Sequence, residues 1–279
     1  MGTVWNALGE PWRVAPVLRA FVQVALLAGL GGTLGCWVLF GNLAYSAESL
    51  SHAMFPGLVV AALVGAPLLL GGAIGVAVAA LAIAIVSQAA VIGRDTAVAT
   101  VISTLFGLGV LLALSPSSPP GIEGLLFGNL LGLSNGDLGA SAALVVATVV
   151  VLYVLHDRLL LVGFDRATSR SLGVRPTVLD ALLLVLLAVA ALVSVQAVGA
   201  LLTPAILVGP AATARLVTRR MVPMMGAATG LTLVAGTGGI YLSFYGGTAA
   251  GASVAGLIVL VYVAIRVWAP RPHVTLVEG

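Results

Sequence analysis

The chain has 279 residues and no lysine: all twelve basic residues are arginine. That absence excludes a P-loop lysine, and no GxxxxGK[ST] run occurs. It also excludes a lysine Schiff base as a catalytic device. Cys36 is the only cysteine, so neither an internal disulfide nor a cysteine metal cluster can form within the chain. Cys36 reads instead as a small apolar residue inside the first hydrophobic span. Charge is scarce, at 8% of residues, against about 25% in an ordinary soluble domain. Strands alternating apolar and polar residues are missing, which argues against a lipid-facing barrel. HExxH is missing too, because Ala53 follows His52, and this disfavours an intramembrane metalloprotease. No basic stripe appears, so a nucleic-acid partner is not expected.

What is present is apolar: 61% of residues are hydrophobic. Crossing about 30 Å of hydrocarbon takes ~20 helical residues at 1.5 Å each. The clearest runs of that kind are Val17–Phe40, Pro67–Val86, Val98–Leu114, Leu138–Leu155, Val178–Leu202 and Ala252–Trp268. The expectation is an all-α, polytopic membrane helix bundle, a single transmembrane domain over 1–279. Segments 1–16 and 270–279 should lie outside the bundle. Arg13 and Arg19 precede a long apolar run without a clear small-residue cleavage site, the pattern of an uncleaved first span rather than a signal peptide.

Arginines mark the cytoplasmic side of a membrane protein. They cluster at Arg94; at Arg158, Arg166, Arg170 and Arg175; at Arg215, Arg219 and Arg220; and at Arg266 with Arg271. Arginine-free connections lie between them, at Ser115–Gly121, around Thr203 and at Gly236–Gly247. The alternation is consistent from Arg94 onward and places the C-terminus in the cytoplasm. Counting Ala47–Val64 and Pro67–Val86 as separate crossings gives about nine spans and an outside N-terminus, which leaves Arg13 and Arg19 on the wrong side. Counting them as one broken span gives about eight and an inside N-terminus; segment length favours nine. Gly124, Gly128, Gly132 and Gly136 recur every fourth residue, as do Gly71/Gly75 and Gly226/Gly230, a spacing that suits close helix packing in lipid. Pro119–Asp137 is too broken to span, so a re-entrant hairpin near the outer face is expected there.

The residues that carry chemistry are few. Glu48 and His52 stand four apart within an apolar segment, on one helical face and about 6 Å apart at the backbone. Ionisable groups at such depth mark a substrate pathway, and carboxylate with imidazole is a transition-metal ligand pair. The same spacing also suits a helix-start acid beside an interfacial histidine. Pro56 and Gly57 follow, and are expected either to break the helix beyond the pair or merely to kink it. Gln196 either lines the pathway or hydrogen-bonds a neighbouring helix. Pro204 and Pro210 bracket a short bent span ending near Arg215, with a role in gating or packing. Asp180 suits the N-terminal dipole of its helix, and Asp95 a helix cap. Glu123 and Asp137 flank the outer hairpin, while His156 and His273 fall at membrane edges.

Several stretches, in order, resemble one family. SLSHAMFPG (Ser49–Gly57) resembles the SHAxxPG signature of permeases in the zinc/manganese/iron ABC-transporter family. LLFGNLLGLSNGDL (Leu125–Leu138), FDRATSRSLGV (Phe164–Val174) and VGALLTPAILVGPAATARL (Val198–Leu216) are similar to further family blocks. GIYLSFYGGTAAGASV (Gly239–Val254) resembles the last motif with one departure. The family usually carries an acid and a proline in the turn where this chain reads YGGTAAG.

The resemblance implies a type-II-importer-like permease of a bacterial plasma membrane. It works as two permease copies with two cytoplasmic ABC ATPases, and an extracellular metal-binding lipoprotein delivers the ion. Zinc or manganese, with iron as a further candidate, is then the transported substrate; no cofactor is bound by this chain and ATP belongs to the partner. Glu48 and His52 become transient ligands, with Pro56, Gly57, Gln196, Pro204 and Pro210 along the pathway. Phe164–Val174 becomes the element that docks on the ATPase. In it Asp165 caps a short helix, Gly173 stops it, Phe164 and Leu172 give apolar contact, and Arg166 and Arg170 form the rim. Import of a metal chelate is one alternative, and needs neither ligand. A secondary metal/proton transporter using Glu48 as proton carrier is another, and has no use for the docking loop. An enzyme is disfavoured, since no nucleophile–base or multi-ligand cluster occurs.

Overall fold

The computed structural model describes residues 11–86, 94–116, 118–119, 121–122 and 124–268. Among them the chain is helical, with no strand. The helices are α1 (Ala15–Phe40), α2 (Ala44–Val64), α3 (Leu68–Val86), α4 (Arg94–Ala113), α5 (Gly124–Phe127), α6 (Asn135–Val154), α7 (His156–Phe164), α8 (Arg166–Ser171), α9 (Pro176–Val198), α10 (Thr203–Val217), α11 (Met221–Gly246) and α12 (Ala250–Trp268). Eight are long and apolar enough to cross a membrane, and the 15-residue α10 is a shorter apolar one. Lipid offers the backbone no hydrogen-bond partners, so a helix, which bonds internally, is the stable choice for each of these segments.

Ala44–Val64 and Leu68–Val86 are separate helices, and Gly65 ends the first in the left-handed region (φ 69°). The two segments are thus separate, as the longer expectation had them, and among the described residues eight helices are long enough to span while α10 is shorter. Orientation follows from two contacts. Phe40, at the end of α1, meets Phe164 of the arginine-rich loop edge to face at 5.4 Å. At the other end, Trp12 donates its indole N–H to the Tyr241 hydroxyl at 2.8 Å and stacks on Phe21 at 3.9 Å. Tyr241 lies five residues from the end of α11, a helix that starts beside Arg219 and Arg220. Arg13 and Arg19 thus sit at the face opposite the arginine-rich loops, against the charge rule, in a segment held by an aromatic stack.

α1 is the most enclosed span, packed against α11, α10, α6 and α9. Its glycines permit this: a Cβ on Gly35 would lie 2.0 Å from the Leu207 carbonyl oxygen, and one on Gly32 2.1 Å from Thr229 Oγ1. Fully buried Trp37, Leu27, Leu30 and Leu34 fill the remaining space. The same logic joins α2 to α3, where a Cβ on Gly57 would meet the Gly71 carbonyl oxygen at 2.1 Å. The expected Gly71/Gly75 packing is therefore present.

The run from Gly124 to Gly136 behaves differently. Its glycines do not share a helix face: Gly124 opens α5, Gly132 lies in a 3₁₀ turn (Leu130–Gly132), and Gly136 is the second residue of α6. Gly128 has φ 82° in the turn between them. The four-residue period there reflects turn chemistry and close seating, not a helix–helix interface. The described part of the expected hairpin, from Gly124 on, turns back on itself and rests on the residues just past α9, where Ala200 and Leu201 donate their N–H groups to the carbonyls of Leu125 and Leu126 at 3.0 and 3.2 Å.

Candidate functional site

α2 leaves the arginine-rich face through a tight turn in which Asn42 adopts φ 55°. Glu48 and His52 lie on its second and third turns, about 6 and 12 Å along the axis from Ala44 by helical rise. Tyr45 and Glu48 are exposed, and Val60 and Val64 further along the helix are exposed too. His52 is half-buried between them, its ring 4.6 Å from that of Phe106 on α4. Its Nδ1 is enclosed without a hydrogen-bond partner. A metal-bound imidazole usually donates its second N–H to a carbonyl or carboxylate. Among the described residues no such acceptor reaches His52 Nδ1. Phe106 was not singled out by the sequence, because a lone phenylalanine in an apolar span carries no signal.

The helix runs through Pro56 without a break, contrary to one of the two expectations. Pro56 has no N–H, so the carbonyl of His52, four residues back, loses its usual helical donor. One backbone oxygen acceptor is thereby freed without interrupting the helix. Gly57 is used for contact with α3, not for flexibility. Together Pro56, Gly57, Val60, Leu70, Ile74 and Leu105 line an apolar groove of about 380 Å³. Among the described residues no group of three or more His, Cys, Asp or Glu side chains converges. Zinc sites usually use four ligands, so Glu48 and His52 form at most half of a coordination shell.

The other pathway candidates are spread out. Gln196 is half-buried near the end of α9. Pro204 stands in the first turn of α10, and Pro210 is buried inside it. Neither proline approaches the Glu48–His52 pair by any described contact. A polar residue absent from the candidates is more enclosed: Gln23 on α1 is fully buried, with neither end of its amide hydrogen-bonded.

The arginine-rich loop is built locally. Asp165 precedes α8 and accepts hydrogen bonds from the N–H groups of Ala167 and Thr168 and from the Thr168 hydroxyl. These donors hold its carboxyl below the ordinary carboxylate range, the Thr168 hydroxyl contributing most. Gly173 ends the helix region at φ 77°, as expected of a left-handed stop. Phe164 and Leu172 are 79% and 64% exposed, so two apolar side chains project beside α8. Arg170 is exposed. Arg166 is not free on a rim: it grips Asp180 of α9 through two bonds of 3.0 Å each. Asp180 therefore serves as an ion-pair partner; it lies past the first turn of α9, so the expected helix-dipole role falls away. A hollow of about 420 Å³ opens beside Phe164, lined by Phe40, Leu160, Arg215, Arg219 and Met221.

The remaining candidates are structural where they are described. Asp137 forms a capping box with Ser134 at the start of α6. His156 packs edge-on against Trp37 at 5.4 Å. In the turn that departs from the family pattern, Ser243 donates to the Thr248 carbonyl at 2.6 Å, and the hydroxyls of Thr248 and Ser253 pair at 2.7 Å. The hydroxyls there satisfy one another. Glu123, Arg271 and His273 and the side chains of Arg94 and Asp95 lie outside the described residues.

Membrane helices packed through small residues, one short proline-containing helix, an ionisable pair on α2 and a capped loop on the arginine-rich face are the features of a polytopic transport permease. The ABC 3 transport family matches residues 14–269, and the chain belongs to that family. The manganese transport system membrane protein MntC of Halalkalibacterium halodurans is 31% identical over 240 residues, which cover 85% of this chain and 82% of that protein. The chelated iron transport system membrane protein YfeC of Yersinia pestis is 28% identical over 263 residues, 94% of this chain and 89% of that one. In structure the chain resembles PsaBC from Streptococcus pneumoniae in complex with Fab, with a TM-score of 0.88, 23% identity and 96% coverage of both chains. At that identity the likeness bears on the fold.

Proposed function

We propose that this chain is the permease subunit of an ATP-driven importer of a bare divalent transition-metal ion, manganese, zinc or iron. The observation that carries the reading is the Glu48–His52 pair, one turn apart on a face of α2 that this chain leaves open. The names of the manganese- and iron-transporting relatives support the same substrate class. An incomplete ligand set suits a carrier, since the ion must leave as well as enter. The remaining coordination comes from a second permease copy across a two-fold axis, from water, and from the His52 carbonyl that Pro56 releases. Carboxylate, imidazole and carbonyl accept both manganese and zinc, and geometry with cellular supply selects between them.

No covalent step occurs in this chain. A cytoplasmic ABC ATPase docks on Phe164, Leu172 and the capped helix α8, and ATP binding and hydrolysis there switch two packings of the bundle. The pathway past Glu48 and His52 then opens to each side in turn, along Pro56, Gly57, Gln196, Pro204 and Pro210. An extracellular metal-binding lipoprotein supplies the ion, and the permease domain, 1–279, resides as a homodimer in the bacterial inner membrane. The test is ATP turnover by the permease–ATPase complex in proteoliposomes, with Mn²⁺ or Zn²⁺ added. Stimulation by the free ion, lost in Glu48→Ala and His52→Ala complexes that still assemble, supports the reading. Wild-type transport by both variants rejects the ligand assignment. The YfeC name favours one second reading, import of a chelate, which predicts that both variants stay active on the chelated metal.

A further inference from the structure

We infer that α9 is the rod that carries movement of the docking loop to the hairpin on the opposite face, with Arg166 and Asp180 as the positioning residues that latch it. The inference rests on the reading above of the Phe164–Gly173 loop as the ATPase-docking element.

Three observations carry it. The first is the latch. Arg166 is the first residue of α8 and Asp180 lies in the second turn of α9, and the guanidinium meets both carboxylate oxygens at 3.0 Å. A two-pronged bond of this kind fixes direction as well as distance. The second is stiffness. α9 runs 23 residues from Pro176 to Val198, about 33 Å by helical rise. Past its first residue it contains neither glycine nor proline, the residues at which helices bend. Each other described span carries at least one: Pro56 in α2, Pro210 in α10, and glycines in α1, α3, α4, α6, α11 and α12.

The third observation is the seat at the far end. Gly199 caps α9 at φ 83°, and a Cβ there would lie 2.2 Å from the Leu126 carbonyl oxygen and 2.4 Å from the Gly128 nitrogen. A Cβ on Gly128 would in turn lie 2.4 Å from the Ala197 carbonyl oxygen. Two backbone hydrogen bonds, from Ala200 to Leu125 and from Leu201 to Leu126, pin the same hairpin. Gly251 at the start of α12 closes on it as well, 2.8 Å from the Phe127 carbonyl oxygen by the same measure. A hairpin seated backbone to backbone has little freedom to lag behind a helix end that moves. Interfaces packed this closely shift as units.

The test uses the reconstituted permease–ATPase complex. Amide hydrogen exchange across residues 124–133 is compared without nucleotide and with the ATPase trapped in its nucleotide-bound state. In the wild type the two states should differ at the hairpin. Arg166→Ala and Asp180→Ala should shrink that difference and lower the metal moved per ATP by about fivefold, the scale of a well-formed exposed ion pair. The exchanged pair, Arg166→Asp with Asp180→Arg, should restore both readouts, which a merely structural loss would not do. Gly199→Val should silence the hairpin while α8 still responds to nucleotide. Wild-type hairpin response and stoichiometry in Arg166→Ala overturn the latch. A bound, active ATPase with an unresponsive wild-type hairpin overturns the rod alone, whereas failure of the ATPase to bind overturns the docking reading beneath it.

Discussion

The loop around Asp165 satisfies its polar groups within one chain, whereas the acid–imidazole face of α2 leaves them open. Asp165 accepts from three donors and Arg166 pairs with one carboxylate through two bonds. Glu48 is exposed, and His52 keeps an enclosed ring nitrogen without a partner. Both regions lie near the arginine-rich face, so depth does not explain the contrast. On the proposed function, what differs is the task. A docking element gains by holding one shape before its partner arrives, because ordering is then not charged against binding. A transit site gains from vacancies that an ion fills briefly and then leaves. On that proposal, completeness within the chain separates the mechanical part of the permease from its chemical part.

The comparison breaks most sharply at the open face. Removing either ligand, by Glu48→Ala or His52→Ala, should reduce metal uptake to background while ATPase assembly is unchanged. Glu48→Asp, which shortens reach by one methylene, should retain uptake. Uptake by the alanine variants would mean that the open face is not a transit site.

A smaller effect is expected where α2 is closed against α3. Gly57→Val places a side chain against the Gly71 carbonyl oxygen, and overpacking of this kind costs about 1–3 kcal/mol. The melting temperature of the purified permease should fall accordingly. An unchanged melting temperature would show that α2 and α3 can part freely.

The closed loop should reveal itself through acid. The carboxyl of Asp165 is depressed by its donors, so its stabilising effect on α8 is complete above the ordinary carboxylate value of about 3.9. The effect is lost as pH falls through the depressed value. Amide protection of residues 166–171 should therefore drop on acidification, and Asp165→Asn, which keeps a capping oxygen, should remove that dependence. Protection that is flat with pH in the wild type would contradict the cap.

The smallest effect is expected at the outer end of α1. Trp12→Phe deletes the 2.8 Å hydrogen bond to Tyr241 while keeping an aromatic ring, a loss of about 1 kcal/mol. A cysteine replacing Arg13 should still react with a membrane-impermeant thiol reagent from the outside. Labelling from the inside would reverse the orientation assigned to α1.

Much of this molecule was legible in its residues. Spans follow from apolar length, because lipid leaves the backbone no other partner, and the expected limits fall within a few residues of the helices seen. The Asp165 cap and the Gly173 stop were readable because caps and left-handed turns depend on one or two residues and their immediate neighbours. The glycines from Gly124 to Gly136 misled for the opposite reason: a four-residue period signals a helix face only if a helix is present, and the backbone turns at Gly128 instead. The N-terminal arginines misled as well, since a statistical charge rule gave way to the packing of Trp12, Phe21 and Tyr241.

By itself the sequence determined that this chain lives in a membrane, that its polar chemistry is confined to a few positions, and that Glu48 and His52 share a helical face. Those properties depend on composition and on spacing along one helix. The tertiary structure alone decided that Arg166 binds Asp180, that the outer hairpin sits on the end of α9, and that His52 rests on Phe106. Each of these joins residues from different elements, and the distance between elements is set by how their surfaces pack.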